Sequence, residues 1–305
     1  MEKYDVIIIG AGSAGFTAGI YSTRFGLRSL IIGKEPGGQA NEAFEIDNWP
    51  GQFRIGGMEL MKKFRQQAEN LGAAFVSAEA VDVVKKGKGF IVKTRDKEYE
   101  SRSLIIAMGA RKRKLGIAGE EKFRGKGIAY CATCDAFFFK DKVTAMIGGG
   151  NSAVKGALLL TEHAKKVYLV YRRGKKDMRA MAFWIKKLEK NKKVEMIFNS
   201  APREIRGKDR LESVVFEKDG KEFALDLDGL FIEIGTIPET GLAEKLGVYL
   251  ADNGKIKVNG DMSTNVEGVF AAGDITDGSN EMEQIVTAAS EGAIAAESAY
   301  RHVNK

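Results

Sequence analysis

Residues 4–35 read YDVIIIGAGSAGFTAGIYSTRFGLRSLIIGKE, and residues 142–173 read KVTAMIGGGNSAVKGALLLTEHAKKVYLVYRR. Each stretch is an apolar, β-rich run, a glycine turn, a helix-like segment and a second apolar run. That order predicts a βαβ unit, and the chain carries it twice. The first turn is Gly10-x-Gly12-x-x-Gly15, with Ser13 and Ala14 inside it. The second is Gly148-x-Gly150-x-x-Ala153, with Asn151 and Ser152 inside it.

The spacing has a steric meaning. The first glycine turns the chain tightly off the strand, the second lets backbone approach a pyrophosphate, and the third position keeps helix against sheet. Phosphate then meets the N–H groups at the helix start. One such turn is weak evidence; two, each between a strand and a helix, predict two dinucleotide sites. The second strands end differently. Glu35 stands about twenty residues after Gly15, where an acid bonds a ribose hydroxyl. Arg172 and Arg173 hold the equivalent place in the second copy, where arginines bind a 2′-phosphate that an acid would repel. The first copy is therefore expected to hold the adenosine of FAD and the second that of NADPH. At roughly 1.5–3 kcal/mol for each arginine, the pair favours NADPH over NADH by about a hundredfold or more. Lys175, Lys176 and Arg179 follow and add positive field.

At 305 residues the chain exceeds what one core organises, so two domains are expected. No apolar run approaches a membrane span. The N-terminal KYDVIIIGAG reads as a strand without a signal peptide's apolar region and cleavage site, so a soluble cytoplasmic protein is expected. The net charge of +7 raises the question of nucleic acid, but the basic residues are scattered among 41 acidic ones. The densest cluster, Arg111–Lys114, lacks the interleaved aromatics of a base-stacking surface and reads as a solvated loop. Between the two copies, Leu60, Phe64, Ala68 and Leu71 recur at helical spacing and predict a core-facing helix. Strand-like segments follow near 75–84 and 89–95, and SLIIAMGA at 103–110 closes the first region.

The only cysteines are Cys131 and Cys134, in GIAYCATCDAFFF at 127–139. Structural zinc takes four ligands. Here there is one CxxC pair, and His163 and His302 lack ligand spacing, so no metal site is expected. A structural disulfide across two residues closes too small a loop to restrain the unfolded chain much. A redox dithiol is the favoured reading.

Taken in order, GAGSAG at 10–15, PGGQ at 36–39, DNWPG at 47–51, AMGA at 107–110 and CATCD at 131–135 resemble the small thioredoxin reductases over the full chain. GGGNSA at 148–153, YRR at 171–173, GTIPET at 235–240 and TNVEGVFAAGD at 264–274 continue the match. The resemblance implies an α/β fold of two Rossmann-like domains. An FAD domain split over 1–113 and 243–305 would carry an NADPH domain, 114–242, inserted into it, in a homodimer. It implies that Gly38, Gln39, Asn48, Gly109 and Gly273 lie on the FAD side, that Asp274 bonds the ribitol chain and that Gln284 meets the isoalloxazine. Hydride would pass from NADPH to flavin and open the Cys131–Cys134 disulfide. Cys134 would face the flavin, Cys131 would attack a thioredoxin or related disulfide protein, and Asp135 would donate the proton. Phe137, Phe138 and Phe139 offer the apolar setting such an acid needs. Because nicotinamide and disulfide both need the flavin, the inserted domain is expected to rotate about hinges near Lys114 and Gly241.

Three residues or spacings depart from the family pattern. Tyr171 replaces a usual histidine, the gap from Arg173 to Arg179 is two residues longer, and Glu283 stands where arginine is common. Alternatives are a glutaredoxin-like or peroxiredoxin-type partner, a donor other than NADPH, or a non-enzymatic FAD-binding redox sensor.

Overall fold

A computed structural model of the chain describes residues 1–43, 46 and 48–305; the side chains at 42, 133, 134 and 281 lie outside the description. Two compact units emerge, one of Met1–Arg111 with Ile237–Lys305 and one of Lys112–Thr236. They divide at 111/112 and 236/237, against the expected 113/114 and 242/243.

The first unit opens with β1 (Glu2–Ile9), α1 (Ser13–Arg24), β2 (Ser29–Ile32), α2 (Gly57–Asn70) and β3 (Ala74–Val76). An antiparallel run of β4 (Asp82–Lys86), β5 (Gly89–Lys93) and β6 (Glu98–Ile106) follows. The chain crosses to the second unit within β7 (Ala110–Lys112). That unit contains α3 (Glu120–Phe123), β8 (Ile128–Ala129), α4 (Ala132–Asp135), β9 (Val143–Ile147), α5 (Asn151–His163) and β10 (Lys166–Tyr171). It continues with α6 (Ala182–Glu189), β11 (Val194–Phe198), β12 (Ser200–Arg206), β13 (Ser213–Lys218), β14 (Lys221–Asp226) and β15 (Gly229–Ile232). The return crossing is β16 (Thr236–Pro238), and the first unit ends with α7 (Gly241–Lys245), β17 (Val269–Ala271) and α8 (Ile285–Val303).

Both predicted βαβ units form. In the first, the sheet runs β3-β2-β1-β6-β5-β4, with β17 also on β6, and its β1, β2, β3, β6 and β17 contacts are parallel. In the second, the parallel order is β11-β10-β9-β15-β8. The unbroken apolar runs follow from burial on both sheet faces. Along β1, Val6 and Ile8 enter a core with α1, α2 and α8, while Ile7 and Ile9 enter another with Leu242, Val248 and Ile256. Along β9, Met146 packs with α5, whereas Ala145 and Ile147 meet Val214 and Phe216 of the antiparallel β12-β13-β14 sheet.

Two expectations need correction. Leu60, Phe64 and Ala68 line the buried face of α2 with Met61, but Leu71 is 42% exposed, because the helix ends at Asn70 and Leu71 is its C-cap. Arg111–Lys114 is solvated as expected but not all loop: β7 runs through Lys112, while Arg111, Arg113 and Lys114 are exposed. Arg111 pairs with Glu239 at 2.7 Å, Lys112 with Glu233 at 3.4 Å, and Lys114 with Glu121. These are ion pairs at the surface, with Arg111 and Lys114 still in solvent.

Candidate active site and nucleotide sites

The glycines of the first turn divide by what surrounds them. A Cβ on Gly10, at φ +121°, would lie 2.1 Å from the carbonyl oxygen of Ala107, and one on Gly15 would lie 1.9 Å from that of Gly10. The protein itself excludes side chains there. Gly12 is different: its φ of −89° suits any residue, and a Cβ on it would meet nothing within 4 Å. Protein atoms do not fill that space, and no side chain caps α1. An open backbone cradle at an uncapped helix start fits a pyrophosphate.

Of the other residues expected around FAD, Gly38 and Gly273 lie against this turn. Gly37 N–H donates to the Ala11 carbonyl at 2.6 Å, and Gly38 lies over Gly12, a Cβ on it falling 3.7 Å from the Gly12 Cα. Gln39 donates through Nε2 to the Ala110 carbonyl. The Asn48 amide donates to Gln284 Oε1 at 2.9 Å, joining two expected site residues far apart in sequence. Asp47 of the DNWPG motif lies outside the described residues. Gln284 is the N-cap of α8, Asp274 is half-buried just beyond β17, and Gly273 packs against Ala14. Glu35 is exposed beyond β2. Gly109 has a φ of +67°, and its carbonyl accepts from Glu239 N–H.

Sequence reasoning missed the residues behind these. Glu291, 3% exposed, accepts from Gly273 N–H at 2.8 Å and from the Thr276 hydroxyl at 2.9 Å. Gly292 lets α8 approach α1, since a Cβ there would stand 2.2 Å from the Ala14 carbonyl oxygen. Glu283, the acid at the unusual position, pairs at 2.9 Å with Lys255, itself 5% exposed. A buried lysine thus balances that acid within the same unit.

The second turn repeats the division. A Cβ on Gly148, at φ +146°, would lie 2.2 Å from the Glu233 carbonyl oxygen; one on Gly150 would meet nothing within 4 Å. Ala153 is fully buried. Asn151 and Ser152 are exposed at the start of α5, and Asn151 Oδ1 accepts from Met181 N–H at 2.9 Å. Arg172, Arg173 and Arg179 are exposed, and none has a carboxylate partner among the described residues. Their positive charge suits a phosphate. Lys175 is instead paired with Glu189.

Cys131 is held in a disulfide, and the chain's other cysteine is Cys134, whose side chain lies outside the description. The half-buried Asp135 closes the single turn of α4, its N–H donating to the Cys131 carbonyl at 3.2 Å. Of the three phenylalanines expected to surround it, Phe137 and Phe138 are 64% and 55% exposed. Only Phe139 packs inward, edge-on to Phe231 at 5.0 Å. The apolar setting expected for Asp135 is therefore not built by Phe137 and Phe138. The helical turn that holds the CxxC continues as a 3₁₀ turn, Ala136–Phe139, which carries both rings outward. Among the described residues no cluster of His, Cys, Asp or Glu has metal-binding geometry.

Two glycine turns with reserved space and a disulfide on the second unit are the parts of a flavin-disulfide enzyme. The model of the family described as pyridine nucleotide-disulphide oxidoreductase matches residues 4–292. The chain belongs to that family. Thioredoxin reductase of Bacillus subtilis strain 168 is 40% identical to this member over 99% of the chain and 95% of its own length. The solved Lactococcus lactis thioredoxin reductase, in its FR conformation, is 38% identical, covers 99% of each chain and has a TM-score of 0.79. That of Giardia duodenalis is 34% identical over all of both chains, with a TM-score of 0.81. As a pyridine nucleotide-disulphide oxidoreductase the protein is an enzyme. No helix among the described residues is long and apolar enough to cross a membrane.

Proposed function

We propose that this enzyme is a thioredoxin-disulfide reductase that uses FAD and NADPH. The observation that supports this most directly is the disulfide at Cys131, carried in the unit that also contains the second glycine turn. Gly10, Gly12, Ser13, Ala14 and Gly15 form the cradle for FAD, with Glu35 at the ribose, Asp274 at the ribitol chain and Gly38, Gln39, Asn48, Gly109, Gly273 and Gln284 around it. Gly148, Gly150, Asn151, Ser152 and Ala153 form the cradle for NADPH, and Arg172, Arg173 and Arg179 take its 2′-phosphate. When bound, FAD relays two electrons from NADPH to the disulfide.

The chain's residues carry out the rest. In the reduced protein the Cys131 thiolate attacks the partner's disulfide, forming a mixed disulfide and releasing one partner thiolate. Cys134 then attacks the Cys131 sulfur, re-forming the intrachain disulfide and releasing the second partner thiolate. Two electrons leave the protein, and Asp135 holds the proton exchanged at the adjacent sulfur. The split domain 1–113 with 243–305 binds FAD, and 114–242 binds NADPH and rotates between two docked states. The partner is thioredoxin, and the protein works in the cytoplasm as a homodimer.

Anaerobic titration with NADPH and with NADH, followed by flavin absorbance and a thiol count, tests this reading. Bleaching at far lower NADPH concentration, with two new thiols per chain, is expected. If a chemical reductant bleaches the flavin and neither nucleotide does, the donor is wrong.

A further inference from the structure

Tyr171 and the long gap before Arg179 are connected. Tyr171 ends β10 and is 8% exposed. Its ring lies against the middle residue of the second glycine turn: a Cβ on Gly149 would fall 2.4 Å from its Cε2. Its hydroxyl donates to the Asp177 carbonyl at 2.9 Å. The intervening residues form a single 3₁₀ turn, Lys175–Asp177, closed by Gly174 N–H donating to Asp177 Oδ2 at 3.1 Å. The chain then returns to the glycine turn. Arg179 and Ala180 N–H groups donate to the Gly149 carbonyl at 2.9 and 3.2 Å, and Met181 N–H donates to Asn151 Oδ1. Residues 174–177 form that one closed turn, and Arg179 is returned to the backbone of the cradle.

We propose that Tyr171 is a positioning residue for 2′-phosphate specificity: its ring seats the glycine turn, and its hydroxyl pins the loop that brings Arg179 to it. One side chain thus joins the glycine turn to the 174–177 loop, its ring at Gly149 and its hydroxyl at the Asp177 carbonyl. This rests on the NADPH reading. Removing the hydroxyl cuts the side-chain tie to the loop at Asp177 but leaves the ring, β10 and the arginines in place. The phosphate contact weakens, while contacts common to NADP⁺ and NAD⁺ do not.

The test is Tyr171→Phe in the oxidised, flavin-loaded protein, with NADP⁺ and NAD⁺ affinities measured by calorimetry and amide exchange followed across 174–181. Expected are about three- to tenfold weaker NADP⁺ binding, unchanged NAD⁺ binding, faster exchange at Arg179, and a raised KM for NADPH at unchanged kcat. One hydrogen bond of ordinary strength corresponds to that range. Unchanged NADP⁺ affinity, or equal weakening of both nucleotides, overturns the proposal while leaving the NADPH reading intact. A wild-type protein with no preference for NADP⁺ overturns both.

Discussion

The two glycine turns solve one packing problem in opposite ways. The residue after the first glycine faces the residue two before the charged strand end. In the first unit these are Ala11 and Gly33: a Cβ on Gly33 would fall 2.4 Å from that of Ala11. In the second they are Gly149 and Tyr171, and the bulk has changed sides. Each pair has room for one side chain only. Placing it on the turn, as in the first unit, leaves the strand end slim. Placing it on the strand, as in the second, puts an aromatic floor under the turn with a hydroxyl to spare for the loop beyond. Thus nearly identical motifs position different chemistry, Glu35 in one and the arginines in the other.

The largest effect expected from breaking this comparison is at the third motif position. Gly15→Ala drives a Cβ into the Gly10 carbonyl, a contact that only backbone movement relieves. A loss of at least ~3 kcal/mol and of bound flavin is expected. Ala153→Gly, at the same place in the second turn, removes one buried methyl from a helix and costs about 1 kcal/mol. Thermal melts and the flavin-to-protein absorbance ratio report both. A Gly15→Ala protein with normal flavin content would mean that the first turn relaxes as freely as the second.

Next comes the charge difference at the strand ends. Arg172→Ala with Arg173→Ala should lower the preference for NADPH over NADH about a hundredfold, two charge-assisted contacts being lost. Flavin content should not change. Glu35→Ala should show the converse, weaker FAD retention with nucleotide preference intact. Ratios of kcat/KM and flavin release on dilution measure the two, and crossed effects would dissolve the division of labour.

These features were legible in sequence because they are local. Glycine spacing, the apolar runs and the charge at a strand end all fall within about thirty residues, where sterics dictates residue type. The parts that were not legible depend on long-range approach. Nothing near Asn48 announces that it meets Gln284, and Glu291 reads as one more helix-face acid until Gly273 and Thr276 are seen to donate to it. Nothing near Glu283 announces its partner, Lys255, which lies 28 positions earlier. Tyr171 likewise gives no sign in sequence that its ring meets Gly149 and its hydroxyl Asp177. The phenylalanine run after the CxxC misled in the other direction, since apolar character does not say which side of a 3₁₀ turn meets solvent.

A smaller effect separates the two members of each facing pair. Gly149→Ala presses a methyl on the Tyr171 ring and should weaken NADP⁺ binding about tenfold, a packing strain of roughly 1–3 kcal/mol. Ala11→Gly only empties a small space and should stay within about 1 kcal/mol in stability, with flavin retained. Calorimetric NADP⁺ affinity and melting temperature decide it; similar losses in both would remove the distinction between a filled floor and a filled turn.

The smallest effect concerns Tyr130, the residue before Cys131, which has no counterpart in the first unit. Its buried hydroxyl donates at 2.7 Å to Glu120, which also accepts from the Leu115 and Gly116 N–H groups at 2.9 and 2.7 Å. Burial first, then the bond to Glu120, pushes the Tyr130 pKa up. The unfolded tyrosine ionises near ~10 while the folded one stays protonated, so above that pH the unfolded chain binds fewer protons. Stability contributed by this group is whole below pH ~10 and falls as pH rises beyond it, by up to about 1.4 kcal/mol per pH unit. Tyr4, raised to about 12 by burial and its bond to Glu2, gives the first unit a similar alkaline limb. Tyr130→Phe should cost about 1 kcal/mol at neutral pH and flatten one proton's share of that limb. Denaturation midpoints from pH 8 upward should converge for the variant and the wild type as the pH passes ~10. Parallel curves would mean that Tyr130 ionises in the folded protein as it does in the unfolded one.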